Sequence, residues 1–209
     1  MDEIKWLFFD VGSTLVDEST VYERRFRQIA KSADVPVEVV VQRAAECYKN
    51  NQKGDHEAAD FFGVRLPKWE SQYEVLYEDA VDCLKELSQR FKIGVIANQD
   101  YGTEKRLTAF GIRQYIDLVI ASAEEGAAKP DLRIFRIALD RAHCKPEHSV
   151  MIGDRLDNDI APAHMTGMKT VWVRRGFGGL GNSKTATEQP DFTVNDLNEL
   201  LHLLGKESE

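Results

Sequence analysis

Asp10 ends the run IKWLFFD, and a small, turn-prone segment, VGSTL (11–15), follows it. A carboxylate at the end of a buried strand, on a loop able to turn sharply, can act as a nucleophile or hold a metal ion. Three further segments carry reactive side chains at comparable places. VIANQD (95–100) ends an apolar run with Ala97, Asn98 and Gln99. AAKPDLRIF (127–135) carries Lys129 before Pro130. MIGDRLDND (151–159) places Asp154, Asp157 and Asp159 after a run that stops at Gly153. A carboxylate attacking a phosphoryl group meets charge repulsion, which a hard cation with oxygen ligands and an ammonium such as Lys129 would offset. Taken singly, each residue also has a plain structural reading as a turn former, a helix cap, an exposed lysine or an acid cluster at a helix N-terminus. Four such segments in order, each at the end of an apolar run, favour one shared site.

The elements that must position them follow from the apolar patterning. IKWLFF (4–9), FKIGVIA (91–97), YIDLVIAS (115–122), SVMIG (149–153) and KTVWV (169–173) are short, nearly continuous apolar runs. That pattern predicts strands buried on both faces, as in a parallel sheet. Helical patterns alternate with them: Asp79 is placed to cap DAVDCLKELSQRF, Asp131 to cap LRIFRIALDRAHC, and Asn195 to start DLNELLHLLG, which ends at Gly205. Strand–helix alternation over 79–173 predicts βαβ units. Residues 17–76 break the rhythm and read as helical: 19–35, then 36–51 with Pro36 in the first turn, then shorter pieces around 55–63 and 67–76. A helical insertion directly after Asp10 would lie over the carboxyl ends of the strands, where α/β folds place ligands. The expected architecture is therefore α/β, a Rossmann-like three-layer core with a parallel sheet (1–16 and 77–209), plus an inserted helical cap (17–76). The Gly-rich segment RRGFGGLGNSKTATEQ (174–189) reads as a flexible loop, with an edge of the site as the alternative.

Together, FFDVGSTLVD, VIAN, Lys129 with Pro130, and GDRLDND resemble the four motifs of the haloacid dehalogenase-like hydrolase superfamily, in the branch with a helical cap after the first motif. The resemblance implies that Asp10 is the nucleophile of a phosphatase working through an aspartyl-phosphate intermediate. It implies Mg²⁺ held by Asp10, the backbone carbonyl of Gly12 and Asp154, with Asp159 in support. Lys129 would stabilise charge. Thr14, Ala97, Asn98 and Lys129 fall at the positions that shape the phosphoryl-binding site. A small phosphorylated metabolite is the implied substrate.

Two departures from the family pattern stand out. Phosphatases of the superfamily carry a second Asp two residues after the nucleophile, which protonates the leaving group and then activates water. Here that position is Gly12. Loss of a positioned general acid/base typically costs about 10²–10⁴-fold. The second motif usually offers a hydroxyl, and here Ala97 stands in its place. Asn98 could recover part of that contact, and Asp100 or Glu18 could supply the missing acid, though the sequence places neither. Two alternatives follow: a non-catalytic protein that binds a ligand or partner on the same fold, or a hydrolase of carbon–halogen or carbon–phosphorus bonds, the latter with Lys49 or Lys53 as a Schiff base.

Composition bounds the remaining classes. The chain has 209 residues, 43% hydrophobic and 30% charged, in the ordinary range for a globular protein with a full α/β core. A net charge of −8 argues against general nucleic-acid binding. No apolar run approaches the roughly 20 residues of a spanning helix, and the first run is too short for a signal peptide. Cys47, Cys83 and Cys144 are far apart and odd in number, which fits a reducing cytoplasm. Oligomeric state cannot be read from the sequence.

Overall fold

A computed structural model of the chain describes residues 3–205. The strands are β1 (Trp6–Phe9), β2 (Val16–Asp17), β3 (Val75–Leu76), β4 (Lys92–Ala97), β5 (Leu118–Ala121), β6 (Ser149–Gly153), β7 (Lys169–Val173) and β8 (Phe192–Val194). The helices are α1 (Ser19–Ala33), α2 (Val37–Lys49), α3 (Gly54–Phe61), α4 (Ala80–Leu87), α5 (Thr103–Ala109), α6 (Ser122–Glu125), α7 (Leu132–Arg141), α8 (Ala161–Thr166) and α9 (Leu197–Gly205). Six strands form one parallel sheet in the order β5-β4-β1-β6-β7-β8.

Alternate side chains of the sheet feed two cores, as the period of a strand requires. On one face Leu7, Phe9, Ile93, Val95, Val150 and Ile152 pack with Cys83, Leu84 and Leu87 of α4 and Leu197, Leu200 and Leu204 of α9. On the other, Phe8, Ile96, Ile120 and Met151 pack with Ile134, Phe135 and Ala138 of α7 and Ala163 of α8. Helices on both faces of a parallel sheet give the expected three-layer α/β architecture.

Between β2 and β3 lie α1, α2 and α3, with a third core of Phe26, Ile29, Val40, Ala44, Tyr48, Ala58 and Ala59. The antiparallel pair β2–β3 joins the two ends of this insertion, with Val16 opposite Leu76 and Asp17 opposite Val75. A buried ion pair ties α1 to α3: Arg25 Nη1 lies 2.5 Å from Asp55 Oδ2, and Tyr48 donates its hydroxyl to Asp55 Oδ1 at 3.0 Å. Arg25 also stacks over Trp69, 4.6 Å from the ring centre. The adjacent arginines are paired too, Arg24 with Glu70 and Arg27 with Glu23.

Several elements depart from expectation. Residues 67–76 form no α-helix. A short 3₁₀ turn (Ser71–Tyr73) leads into β3, and Trp69 Nε1 donates to Glu74 Oε1 at 2.6 Å. Strand β5 begins only at Leu118, because Asp117 turns its carboxylate to the start of β4, accepting from the Ile93 N–H at 2.9 Å and Lys92 Nζ at 2.7 Å. Asp79 does not cap α4. It accepts from Arg175 and from the Leu197 N–H at 2.9 Å, joining the starts of α4 and α9. Asp196, not Asn195, accepts from an N–H of the first turn of α9, that of Glu199 at 2.8 Å. Asp131 does cap α7, through the Arg133 N–H at 2.9 Å.

The 174–189 segment is not a free loop. Phe177 sits among Tyr22, Phe26 and Tyr48, with ring centres 5.0, 5.3 and 5.2 Å away. Asn182 donates to the Lys49 carbonyl at 3.2 Å, and Lys184 to the Asn50 carbonyl at 3.0 Å. The segment straps the helical insertion onto the α/β core. No helix among the described residues is long and apolar enough to cross a membrane.

The Arg25–Asp55 pair makes a stability prediction. Asp55→Ala strands a buried guanidinium, for which the expected cost is about 3–5 kcal/mol. Urea unfolding followed by circular dichroism measures it. A loss under about 1 kcal/mol would mean that the pair behaves as a solvated one.

Candidate active site

The parallel register brings the candidate residues to one edge of the sheet. Phe9 lies opposite Ile152 of β6 and Val95 of β4, and the Asp10 N–H continues the ladder to the Ile152 carbonyl at 2.9 Å. Asp10, Asn98 and Asp154 each sit one residue past a strand's carboxyl end. After Asp10 the chain turns at once: the Leu15 and Val16 N–H groups both donate to the Val11 carbonyl at 2.9 Å. Ser13 takes a left-handed conformation (φ 53°), which a residue with a Cβ adopts at a cost of about 1–2 kcal/mol. Buried Val11, Thr14 and Leu15 anchor the turn.

Lys129 is the centre of the site. Its side chain is wholly buried, and Nζ lies 2.7 Å from Asp10 Oδ1 and 2.6 Å from Asp159 Oδ1. The Asn98 carboxamide fixes its backbone, accepting from the Lys129 N–H at 2.7 Å and donating to the Lys129 carbonyl at 2.8 Å. The Lys129–Pro130 peptide is cis. Burial pulls the ammonium pKa down, but Asp10 and Asp159 more than offset this and hold it above its ordinary value. Asp159 stands on a one-turn π-helix (Leu156–Ile160), an element common at functional sites, and its second oxygen accepts from the Arg155 N–H at 3.0 Å.

Asp10, Asp154 and Asp159 can each offer an oxygen within 4.8 Å of the others. Asp154 is 4% exposed, and its carboxylate forms no ion pair among the described residues. Gly178 packs directly against it, leaving no room for a Cβ there. Burial, then the neighbouring Asp159 and Asp10 charges, push the Asp154 pKa well above the ordinary carboxylate range. Burial likewise raises Asp10 to about 6, with Lys129 opposing and Asp159 adding to the rise. Three acids against one lysine leave an excess of negative charge, and the donors are hard carboxylate oxygens. That is the environment that suits Mg²⁺-like cations.

Asp10, Gly12, Ser13, Glu18, Tyr22, Asn98 and Asp154 border a cavity of about 130 Å³ at this point. It adjoins a larger hollow of about 630 Å³ beneath the helical insertion, which shares Glu18, Asn98 and Gln99 and is also bordered by Arg25, Lys53, His56 and Trp69. Glu18 reaches the inner cavity. Asp100 borders only the outer hollow. Ser13 donates its hydroxyl to Glu18 Oε2 at 3.0 Å. Burial is the main cause that lifts the Glu18 pKa to about 8; Asp10 and Glu74 add to it, while Ser13 and Arg106 oppose it.

Two sequence-derived positions do not face the cavity. Thr14 and Ala97 have no exposed surface, so neither can touch a ligand, and the Thr14 hydroxyl lacks a partner. Asn98 borders the cavity, but both ends of its carboxamide are engaged by the Lys129 backbone. Lys49 and Lys53 are exposed, and neither borders the inner cavity. Ser13, Arg155, Asn158 and Gly178 belong to the site and were not singled out from the sequence. Ser13 and the motif's Arg155 and Asn158 carry a weak signal, being polar and adjacent to Gly12, Asp154 and Asp159. Gly178 arrives from a distant loop, and its signal is the Gly-rich 174–189 segment, for which an edge of the site is the alternative reading.

A three-layer α/β fold with an aspartate, a buried lysine and two further acids at the sheet's carboxyl edge defines a hydrolase class. The chain belongs to the haloacid dehalogenase-like hydrolase family, whose profile matches residues 7–173. It is 29% identical to the glyceraldehyde 3-phosphate phosphatase of Methanocaldococcus jannaschii, over 96% of this chain and 97% of that protein. It is 35% identical to the enzyme of the same name from Methanopyrus kandleri, over 61% of this chain and 56% of that protein. Among solved structures, the putative hydrolase YfnB from Bacillus subtilis bound to magnesium superposes with a TM-score of 0.70, at 22% identity, over 98% of this chain and 100% of that one.

The acid cluster predicts a coupling of cation binding to pH. Asp10 and Glu18 have folded pKa values of about 6 and about 8, above their ordinary 3.8 and 4.5. Their contribution to the stability of the metal-free protein is therefore present below about pH 4 and is lost as pH rises towards 8. A divalent cation needs ionised carboxylates and relieves their repulsion. Added Mg²⁺ should raise the melting temperature more at pH 8 than at pH 5. Thermal melts at both values check this, and an equal shift at both would contradict it.

Proposed function

We propose that the chain is a Mg²⁺-dependent phosphomonoesterase acting on a small phosphorylated metabolite through a covalent intermediate on Asp10. The observation that carries this reading is the buried Lys129 joining Asp10 to Asp159, beside the unpaired Asp154. Lys129 orients Asp10, leaves its second oxygen able to attack, and holds positive charge where phosphoryl oxygens would crowd. Asp10 and Asp154 border the cavity and would hold the cation, with Gly12 beside them. Asp159 lies beneath, and both its oxygens are engaged, so it supports Lys129. The cation would supply charge neutralisation for the phosphoryl group. Residues 17–76 act as the cap, and the outer hollow beneath them would receive the organic part of the substrate. The relatives named as phosphatases of a three-carbon phosphate support a substrate of that size. Carbon–halogen cleavage, which needs no cation, would leave Asp154 without a purpose.

Asp10→Asn should abolish turnover of 4-nitrophenyl phosphate, a loss of about 10³-fold or more, as for other nucleophiles. Chelation of divalent cations should do the same, reversed by added Mg²⁺. Release of 4-nitrophenol measures both. Undiminished turnover in either arm would overturn the proposal.

A further inference from the structure

The position two residues after Asp10 has no side chain, yet its space is filled. A Cβ built on Gly12 would lie 2.5 Å from Glu18 Oε1 and 2.8 Å from Glu18 Oε2. Standard bond lengths put an aspartate's own carboxylate oxygens about 2.4 Å from its Cβ. The Glu18 carboxylate therefore lies within the reach of a carboxylate that this position could itself carry. Glu18 immediately precedes α1, where an acidic or hydroxyl side chain commonly caps the helix, yet it makes no cap hydrogen bond. Its side chain turns instead into the cavity shared with Asp10 and Asp154. Ser13, held in its left-handed conformation, pins Oε2 at 3.0 Å, while Oε1 accepts no hydrogen bond among the described residues.

We infer that Glu18, carried by the helical insertion, is the general acid/base of this site, standing in for the side chain that Gly12 lacks. The inference rests on the phosphatase reading above. In the first step an Asp10 oxygen bonds to phosphorus as the bond from phosphorus to the leaving oxygen breaks. The Glu18 carboxyl proton passes to that oxygen, and an alcohol departs. In the second step a water oxygen bonds to phosphorus as the Asp10–phosphorus bond breaks. Glu18 takes one proton of that water, leaving hydrogen phosphate, an ionised Asp10 and a reprotonated Glu18. The two carboxylates compete for one place. Gly12→Asp alone would displace the flexible end of Glu18 rather than add a second acid, so it should not raise activity.

The test uses the full chain with Mg²⁺, 4-nitrophenyl phosphate and glycerol phosphate. Glu18→Gln keeps the shape and loses the exchangeable proton. It should lower kcat/KM for glycerol phosphate about 10²–10⁴-fold, and at least about tenfold less for the aryl ester, whose leaving group needs no proton. Phosphorylated Asp10 should accumulate with the aryl ester, seen by intact-protein mass after rapid quench, because its hydrolysis lacks a base. Equal losses on both esters, or none, with no trapped phosphoenzyme, would overturn the role of Glu18 while leaving the phosphatase reading intact. A wild-type chain inert towards every phosphate ester would overturn both. Should Glu18→Gln fold poorly, the double variant Gly12→Asp/Glu18→Ala decides. Glycerol phosphate turnover at least about tenfold above that of Glu18→Ala supports the exchange, and no gain overturns it.

Discussion

The buried ammonium of Lys129 between Asp10 and Asp159 is the constraint on which the site depends. Removing charged groups from water costs several kcal/mol each, and only close, well-aligned partners offset it. The partners here come from three separate stretches of chain, and only the parallel sheet holds them together. β1 delivers Asp10, β6 and the π-turn deliver Asp159, and the end of β4 delivers Asn98, which grips the lysine's backbone. A slip of one residue in the β1 or β6 register would send these side chains to the wrong face and leave a lysine buried without a partner. The charge at the centre thus depends on the register, and it in turn penalises any other register. The count of charges has its own consequence. One lysine cannot balance three acids, so Asp154 remains a buried carboxylate with no ion pair among the described residues, which is the physical case for a metal ion beside it.

What could be read from the sequence follows from how local each feature is. Strands β1, β4, β6 and β7 are continuous apolar runs, and the four residues of the charged centre were found because each stands at the end of such a run or just before a helix. Strand β8 was missed because its three residues, Phe192–Val194, are mostly exposed and carry no apolar run. The β2–β3 pair was missed because two-residue strands have no periodicity to detect. Asp79 looked like a helix cap because nothing nearby betrays its partners Arg175 and Leu197, roughly a hundred residues on. Thr14 and Ala97 illustrate the limit at the site. Motif position says that they are adjacent to the chemistry, but whether a side chain points to the cavity or into the core is set by the packing of the five-residue turn for Thr14 and by the pleat of β4 for Ala97.

The 174–189 strap shows how a segment with little pattern can carry weight in both parts of the molecule. Phe177 inserts into the aromatic cluster of the insertion, and two residues away from it along the same turn Gly179 packs on Arg174. Between them Gly178 lies flush on Asp154. One short turn thus joins the helical layer to the acid that would hold the cation. Any larger residue at Gly178 would push on Asp154, and loss of the Phe177 ring would loosen the layer above the cavity.

The relation between Gly12 and Glu18 reaches further than one residue's role. A carboxylate on the turn after Asp10 would belong to the core. A carboxylate at the start of α1 belongs to the insertion, and Ser13 ties it to the turn. Placing the proton-handling group on the insertion makes assembly of the site depend on how that layer seats against the core. The absence of a side chain at Gly12 then leaves room for this arrangement, since a Cβ there would displace the end of the Glu18 side chain.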